Sequence, residues 1–288
     1  MSLRVLEPGP LTTVQDRGRP GLAHLGVPRA GALDPPAARL GNRLVGNDAG
    51  RAVLETTLGG LVVRAEGRGH WIAVTGAPCP VLVDGVARSF GEPEWIGAGS
   101  TLHLGVPDSG VRSYLAVAGG IDVAEVLGSR STDTLAWVGP PVVAGGQLLP
   151  VGASSQAPRA LDTPRLPAPG PLRISAGPQV DWFGAEALET LCQAPYVVLG
   201  DSNRVGLRLA GASLERRRHE ELASQGMVLG AVQVPPSGEP VVFLADHPTT
   251  GGYPVVAVVR EEDLWQCAQR RPGERVRFRL DPEALCAG

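Results

Sequence analysis

Val81-Leu82-Val83-Asp84-Gly85-Val86-Ala87-Arg88-Ser89-Phe90 carries the local signal that decides the fold. Two short strand-forming runs, 81–83 and 86–90, flank Asp84-Gly85, a dipeptide that accepts the positive backbone angles of a two-residue hairpin turn. The same style extends outward in both directions. Apolar or alternating runs of strand length occur at 3–7, 53–57, 61–65, 71–75, 101–106 and 113–118. The 39 Gly and 27 Pro of this 288-residue chain recur between such runs, as turns between short strands require. A parallel sheet would need crossover helices between most of its strands, and helical patterns are too few. The expected class is therefore mostly β.

One helix interrupts the first block. Asp34 is placed to cap it, Pro35 suits its first position, Ala37, Leu40 and Leu44 share a face, and Gly46 stops it. From 139 to 171 the chain is Pro, Gly, Ser and Ala with little periodicity, which reads as a connector. Beyond it the pattern repeats: strands at 172–175, 196–199, 227–234, 241–245, 255–259 and 275–280, a helix over 181–191 and a short one after Glu261. The segment 12–21 reads as an irregular loop. Two related barrel-like lobes, 1–150 and 151–288, fit this organisation.

Composition narrows the function. With 43% apolar residues the chain can bury a substantial core, and a net charge of -3 with scattered arginines makes no broad basic face. Nucleic acid and membrane surfaces are not expected partners. No apolar run approaches the roughly 18 residues of a membrane span, and residues 1–10 lack a cationic start followed by an apolar stretch, so a cytoplasmic location is expected. All 26 basic residues are arginine. Without lysine the chain has no Walker-type phosphate loop, no Schiff-base amine and no attachment point for biotin, so biotin could arrive only on another protein. Cys79, Cys192, Cys267 and Cys286 lie far apart and the five histidines never cluster, so neither a disulfide framework nor a metal site is expected.

Several segments concentrate polar chemistry. Thr12-Thr13-Val14-Gln15-Asp16-Arg17-Gly18-Arg19-Pro20-Gly21 offers hydroxyls, an amide, a carboxylate and guanidiniums. Asp16 and Arg19 could hold each other, while Gln15 presents both donor and acceptor to an amide. The bland alternative is a satisfied turn with a surface ion pair. Asp246-His247-Pro248-Thr249-Thr250-Gly251-Gly252-Tyr253-Pro254 sits between two apolar strands, where a loop can hold a carboxylate, hydroxyls and a phenol around a ligand. Ser129-Arg130-Ser131-Thr132-Asp133 and Asp201-Ser202-Asn203-Arg204 could cradle a carboxylate or phosphoryl group, or simply cap turns. Glu55 lies in an apolar strand, facing either a site or solvent. Arg216-Arg217-Arg218 reads as a solvated face.

Taken together, the motifs resemble one family. They run Gly9-x-x-Thr12-x-x-Gln15-Asp16-x-Gly18-Arg19-Pro20-Gly21, Gly26-Val27-Pro28-x-x-Gly31-x-x-Asp34, Glu55-x-x-Leu58-Gly59-Gly60, Ala118-Gly119-Gly120-Ile121 and Leu127-Gly128-Ser129-Arg130-Ser131-Thr132. They continue through Ser202-Asn203-Arg204-x-Gly206-x-Arg208-Leu209, Gln233-Val234-Pro235-Pro236-x-Gly238 and Ala245-Asp246-x-x-Thr249-Thr250-Gly251-Gly252-Tyr253-Pro254. In this order they resemble the KipA-type, biotin-dependent carboxyltransferase-like (allophanate hydrolase subunit 2-like) family. Leu33 stands where the family usually has Met, and His247-Pro248 precede the Thr pair.

The resemblance implies paired cyclophilin-like β-barrel lobes. The family includes the C subunit of 5-oxoprolinase and the carboxyltransferase part of urea carboxylases. In the oxoprolinase system two partner subunits work with it, one KipI-like (B) and one LamB/YcsF-like (A), and ATP drives opening of the lactam to L-glutamate. On that reading Gln15, Asp16 and Asp246 orient the lactam amide as the catalytic set. Arg19, Arg130 and Arg204 meet the substrate carboxylate or phosphate, with Thr13, Asp34, Glu55, Ser129, Thr132, Asn203, Gln233, Thr249, Thr250 and Tyr253 lining the substrate site. ATP would be shared with the partners. Two alternatives stay open: a carboxyltransferase acting on urea or a related amide, and a KipA-type regulatory protein antagonising a kinase inhibitor.

Overall fold

The computed structural model describes residues 1–154, 156–159 and 168–281; Cys286 and the connector positions 155 and 160–167 lie outside the described residues. The chain divides into two units, Met1–Arg19 with Ala30–Leu166, and Pro20–Arg29 with Pro167–Gly288. Both are built mainly of short strands. Position 150, the expected end of the first lobe, closes a strand that pairs antiparallel with the first strand of the chain.

The first unit holds β1 (Ser2–Pro8), β2 (Leu11–Gln15), β3 (Val53–Thr57), β4 (Leu61–Glu66), β5 (His70–Gly76) and β6 (Val81–Val83). It continues with β7 (Val86–Arg88), β8 (Pro93–Ile96), β9 (Thr101–Leu104), β10 (Arg112–Val117) and β11 (Leu148–Pro150). The quoted hairpin forms: β6 pairs β7 with Val83 opposite Val86, and Asp84 and Gly85 take φ of 50° and 78°. Two sheets result, in the orders β11-β1-β4-β9-β6-β7 and β2-β3-β10-β5-β8. Their facing sides share one core, in which Leu3, Val5, Val63 and Leu102 meet Val14, Leu54, Val74 and Leu115.

Strand alternation then decides the other face of the five-stranded sheet. Val53, Ala73, Tyr114 and Ala116 pack there against Ala37, Ala38, Leu40 and Leu44 of α1 (Pro35–Leu44). This helix begins as its sequence indicates, with Asp34 Oδ1 accepting from the Ala37 amide at 3.0 Å.

In the second unit are β12 (Leu172–Ala176), β13 (Tyr196–Val198), β14 (Gly206–Ala210), β15 (Gln225–Gly226), β16 (Ala231–Gln233) and β17 (Val241–Phe243). Then come β18 (Thr250–Gly251), β19 (Val255–Val259), β20 (Arg275–Val276) and β21 (Phe278–Leu280). Eight of these form a sheet in the order β20-β13-β14-β17-β16-β19-β12-β21, in which β12 and β21 run parallel. β15 and β18 make a separate ribbon.

Three local expectations need correction. The segment read as a loop from Thr12 is a strand as far as Gln15, because its backbone completes a ladder with β3. The helix expected over 181–191 is instead a 3-10 turn, Val180–Trp182, and α2 (Ala187–Gln193), separated at Phe183, which is extended. The strand expected over 227–234 shrinks to β16, since a turn at 228–231 closes with the Ala231 amide on the Val228 carbonyl. The short helix after Glu261 is present as a 3-10 turn followed by α3 (Leu264–Gln269). Among the described residues no helix is long and apolar enough to cross a membrane.

Candidate active site

The first cluster lies where β2 ends. Gln15 is fully buried, and its Nε2 donates to the Thr132 carbonyl at 2.9 Å and to Thr13 Oγ1 at 3.0 Å. A carbonyl can only accept, so the orientation of the carboxamide is fixed and Oε1 is the atom left over. Neither Gln15 Oε1 nor the buried Thr132 hydroxyl has a hydrogen-bond partner among the described residues. Each such atom costs about 1–3 kcal/mol in a protein interior, so two on adjoining residues call for an explanation.

Asp16 is bound on all sides. Its carboxylate accepts from the Gly18 amide at 2.8 Å, Ser129 Oγ at 2.6 Å, the Arg130 amide at 2.6 Å and Ser131 Oγ at 2.7 Å. It therefore clasps the segment 16–18 to the segment 129–131. Arg19, also buried, donates from Nε to the Val126 carbonyl and from Nη2 to the Ser131 carbonyl. Gly139 sits against that second bond: a Cβ there would lie 2.1 Å from the Ser131 oxygen, and its φ is 99°. Arg130 turns its guanidinium to Val123, Asp122 and Glu125. So the Ser129 and Ser131 hydroxyls and the Arg130 backbone amide hold Asp16, while the Arg130 side chain serves a separate ion cluster.

Beside Thr13 a polar row crosses the sheet. Register places Thr13 opposite Glu55, Glu55 opposite Tyr114, and Tyr114 opposite Thr75. Glu55 is buried, which removes the solvent-facing alternative. Its Oε2 accepts from the Tyr114 hydroxyl at 2.8 Å and the Leu33 amide at 2.9 Å, and Arg112 lies 3.8 Å from Oε1. The same hydroxyl accepts from the Asp34 amide at 2.8 Å, tying the start of α1 to the sheet. Burial, then the Glu55 and Asp34 charges, push the Tyr114 phenol well above its usual pKa. Sequence reasoning missed Tyr114; a tyrosine directly preceding the apolar run 115–118 was the available signal.

The second unit has its own cluster. Arg204 and Asp246, 1% and 0% exposed, form a bidentate pair with both bonds at 2.9 Å. The Asp246 amide also donates to the Arg204 carbonyl. Asn203 Oδ1 accepts from the Val205 amide at 2.8 Å, so its side chain forms the turn that presents Arg204. After Asp246, the His247 ring stacks on Phe243 with centroids 6.0 Å apart. The Thr249 carbonyl takes the Met227 amide, and Thr250 pairs with Gly226. Gln233 Nε2 donates to the Tyr253 carbonyl at 3.1 Å, and Arg216 lies 5.6 Å over the half-exposed Tyr253 ring. Arg216 is thus held over an aromatic ring, while Arg217 and Arg218 pair with Glu186 and Asp181 at the surface.

The structure therefore brings Thr13, Gln15, Asp16, Arg19, Ser129, Arg130 and Thr132 into one network, with Glu55 and Asp34 adjoining through the sheet. Asn203, Arg204, Asp246, Thr249, Thr250, Gln233 and Tyr253 belong to the other unit.

Comparison with known proteins places these clusters in a family. The family model described as carboxyltransferase domain, subdomain A and B, matches residues 25–280. The chain is similar to the C subunit of 5-oxoprolinase from Escherichia coli K12, 41% identical over 280 residues that make up 96% of this chain and 90% of that protein. It is also similar to the urea amidolyase of Saccharomyces cerevisiae, 33% identical over 96% of this chain but only 16% of that protein. Among solved structures it resembles TTHA0988, with a TM-score of 0.87 and 40% identity, spanning 96% of this chain and 56% of that one. The urea carboxylase of Kluyveromyces lactis gives a TM-score of 0.88 at 32% identity, with 96% of this chain covering 27% of that one. The chain belongs to the carboxyltransferase domain family, in its subdomain A and B form.

Proposed function

We propose that the chain is the C subunit of an ATP-dependent 5-oxoprolinase, which opens 5-oxoproline to L-glutamate together with its KipI-like (B) and LamB/YcsF-like (A) partner subunits. One observation carries this reading: the likeness to the Escherichia coli C subunit runs nearly end to end in both proteins, whereas the urea amidolyase match covers a small part of a much longer chain.

The first cluster suits an amide. Gln15 Oε1 is an acceptor and the Thr132 hydroxyl a donor, and a lactam presents the complementary N–H and C=O on one edge. Meeting such a substrate satisfies two buried atoms that the protein itself leaves over, and gives this chain the role of orienting the lactam. Asp16 acts one step back, holding the 129–132 segment in place. ATP fits these residues poorly. Arg19, Arg130 and Arg204 already bond carbonyls or carboxylates, and no lysine is available. Bound on a partner chain, ATP would supply the phosphoryl group that activates the lactam oxygen, with ADP as the leaving group, and this chain's residues would only orient the lactam.

The test is glutamate release coupled to ATP hydrolysis with all three subunits, omitting each in turn. Strict dependence on this chain supports the reading. Activity without it, or none with it, transfers the proposal to the second reading, biotin-dependent carboxyl transfer to urea or a related amide. That reading draws on the family description and on the urea carboxylase likeness. It predicts turnover only with a biotin carrier supplied on another protein.

A further inference from the structure

A pocket of about 300 Å³ in the first unit is lined by Arg68, His70, Trp71, Trp95 and Ala118, among others. It lies along β5 and β8, at the opposite edge of the five-stranded sheet from β2 and Gln15. Four strand spacings of ~4.8 Å put the two edges roughly 19 Å apart. The pocket is thus separate from the cluster assigned to the lactam, and its ligand does not depend on that assignment.

Its walls are of two kinds. Trp71 and Trp95 are direct cross-strand partners whose rings meet edge to face, centroids 5.5 Å apart at 63°. Both are exposed, at 37% and 50%, although large aromatic rings are ordinarily covered. Trp95 is held by close packing: a Cβ on Gly69 would lie 2.4 Å from its ring. Arg68 is exposed and makes no hydrogen bond or ion pair among the described residues. His70 beneath is buried, with Nε2 unpartnered among the described residues, and the desolvated ring stays neutral near pH 7. The pocket's positive charge therefore comes from Arg68.

Indole faces attract flat π systems, and a free guanidinium attracts a carboxylate or phosphate. We propose that this pocket binds a planar organic anion, with its ring against the Trp71–Trp95 pair and its charged group on Arg68. Nicotinate and AMP serve as probes, one carrying a carboxylate and the other a phosphate. Calorimetric titration of the full chain with each should give saturable binding by at least one of them. Trp95→Ala should abolish it, and Arg68→Gln should weaken it about tenfold, the equivalent of one charge-assisted contact. Both substitutions alter exposed side chains, and unchanged far-UV circular dichroism would verify the fold. Gly69→Ala, which pushes on both the Trp95 ring and the Ile96 carbonyl, should weaken binding while leaving both indoles present. Saturable binding by neither probe, or equal affinity in wild type and Trp95→Ala, would overturn the proposal.

Discussion

Arg204–Asp246 in the second unit and Gln15–Thr132 in the first are both buried polar pairs beside short strands, and they differ in what they leave over. The ionic pair meets in two parallel bonds of 2.9 Å. The amide–carbonyl pair closes one bond and leaves Gln15 Oε1 and Thr132 Oγ1 without partners among the described residues. A low-dielectric interior strengthens the first arrangement and penalises the second. In these two motifs the charged residues are spent on each other, and the uncharged residues are the ones that keep unpartnered buried atoms among the described residues.

Breaking the ionic pair should have the largest effect. Arg204→Met or Asp246→Ala leaves an uncompensated buried charge and is expected to cost about 3–5 kcal/mol, measured by urea unfolding. Replacing both, as Arg204→Met with Asp246→Leu, should recover most of that loss. A double variant as unstable as either single one would mean that packing, and not pairing, holds the loop.

A smaller effect, with a definite sign, comes from His70 in the first unit. Burial, and secondarily Arg68, lower its pKa from 6.5 to about 4. Within that window the unfolded chain binds a proton that the folded chain does not, so stability is full above pH 6.5 and falls as pH drops toward 4. His70→Gln should flatten this part of the stability–pH curve. An unchanged slope would assign the acid sensitivity to other groups.

Thr132→Val should cost no stability and sharpens the contrast most. It removes only the unpartnered hydroxyl, whose burial costs about 1–3 kcal/mol, so the variant should be as stable as wild type or more stable by up to that amount. Oxoproline-dependent activity of the assembled enzyme should fall about tenfold, the value of one lost substrate hydrogen bond. Full activity would show that the hydroxyl does not touch substrate.

Much of the fold was legible because its signals are local. The Asp84-Gly85 turn, the capped helix from Pro35 and the runs that became β3, β4 and β5 each depend on neighbours a few residues away. The helix expected over 181–191 failed because local apolar spacing does not reveal where an extended residue such as Phe183 divides it. β2 was unreadable for the opposite reason. Its polar Thr12, Thr13 and Gln15 look like loop residues until β3 supplies the ladder that makes them strand.

The same boundary runs through the site. The sequence by itself determined the residue inventory: polar motifs at 12–21, 127–133 and 245–254, arginine as the sole cation besides histidine, and no lysine for covalent cofactor chemistry. Only the tertiary structure decided which carboxylates are spent. Asp16 closes a clasp across more than a hundred residues of chain, Asp246 neutralises Arg204, and Glu55 meets a tyrosine that only strand register brings opposite. Hydrogen bonds between residues far apart in sequence leave no periodic trace in it, so the side chains that remain available to a ligand emerge only once every such bond is made.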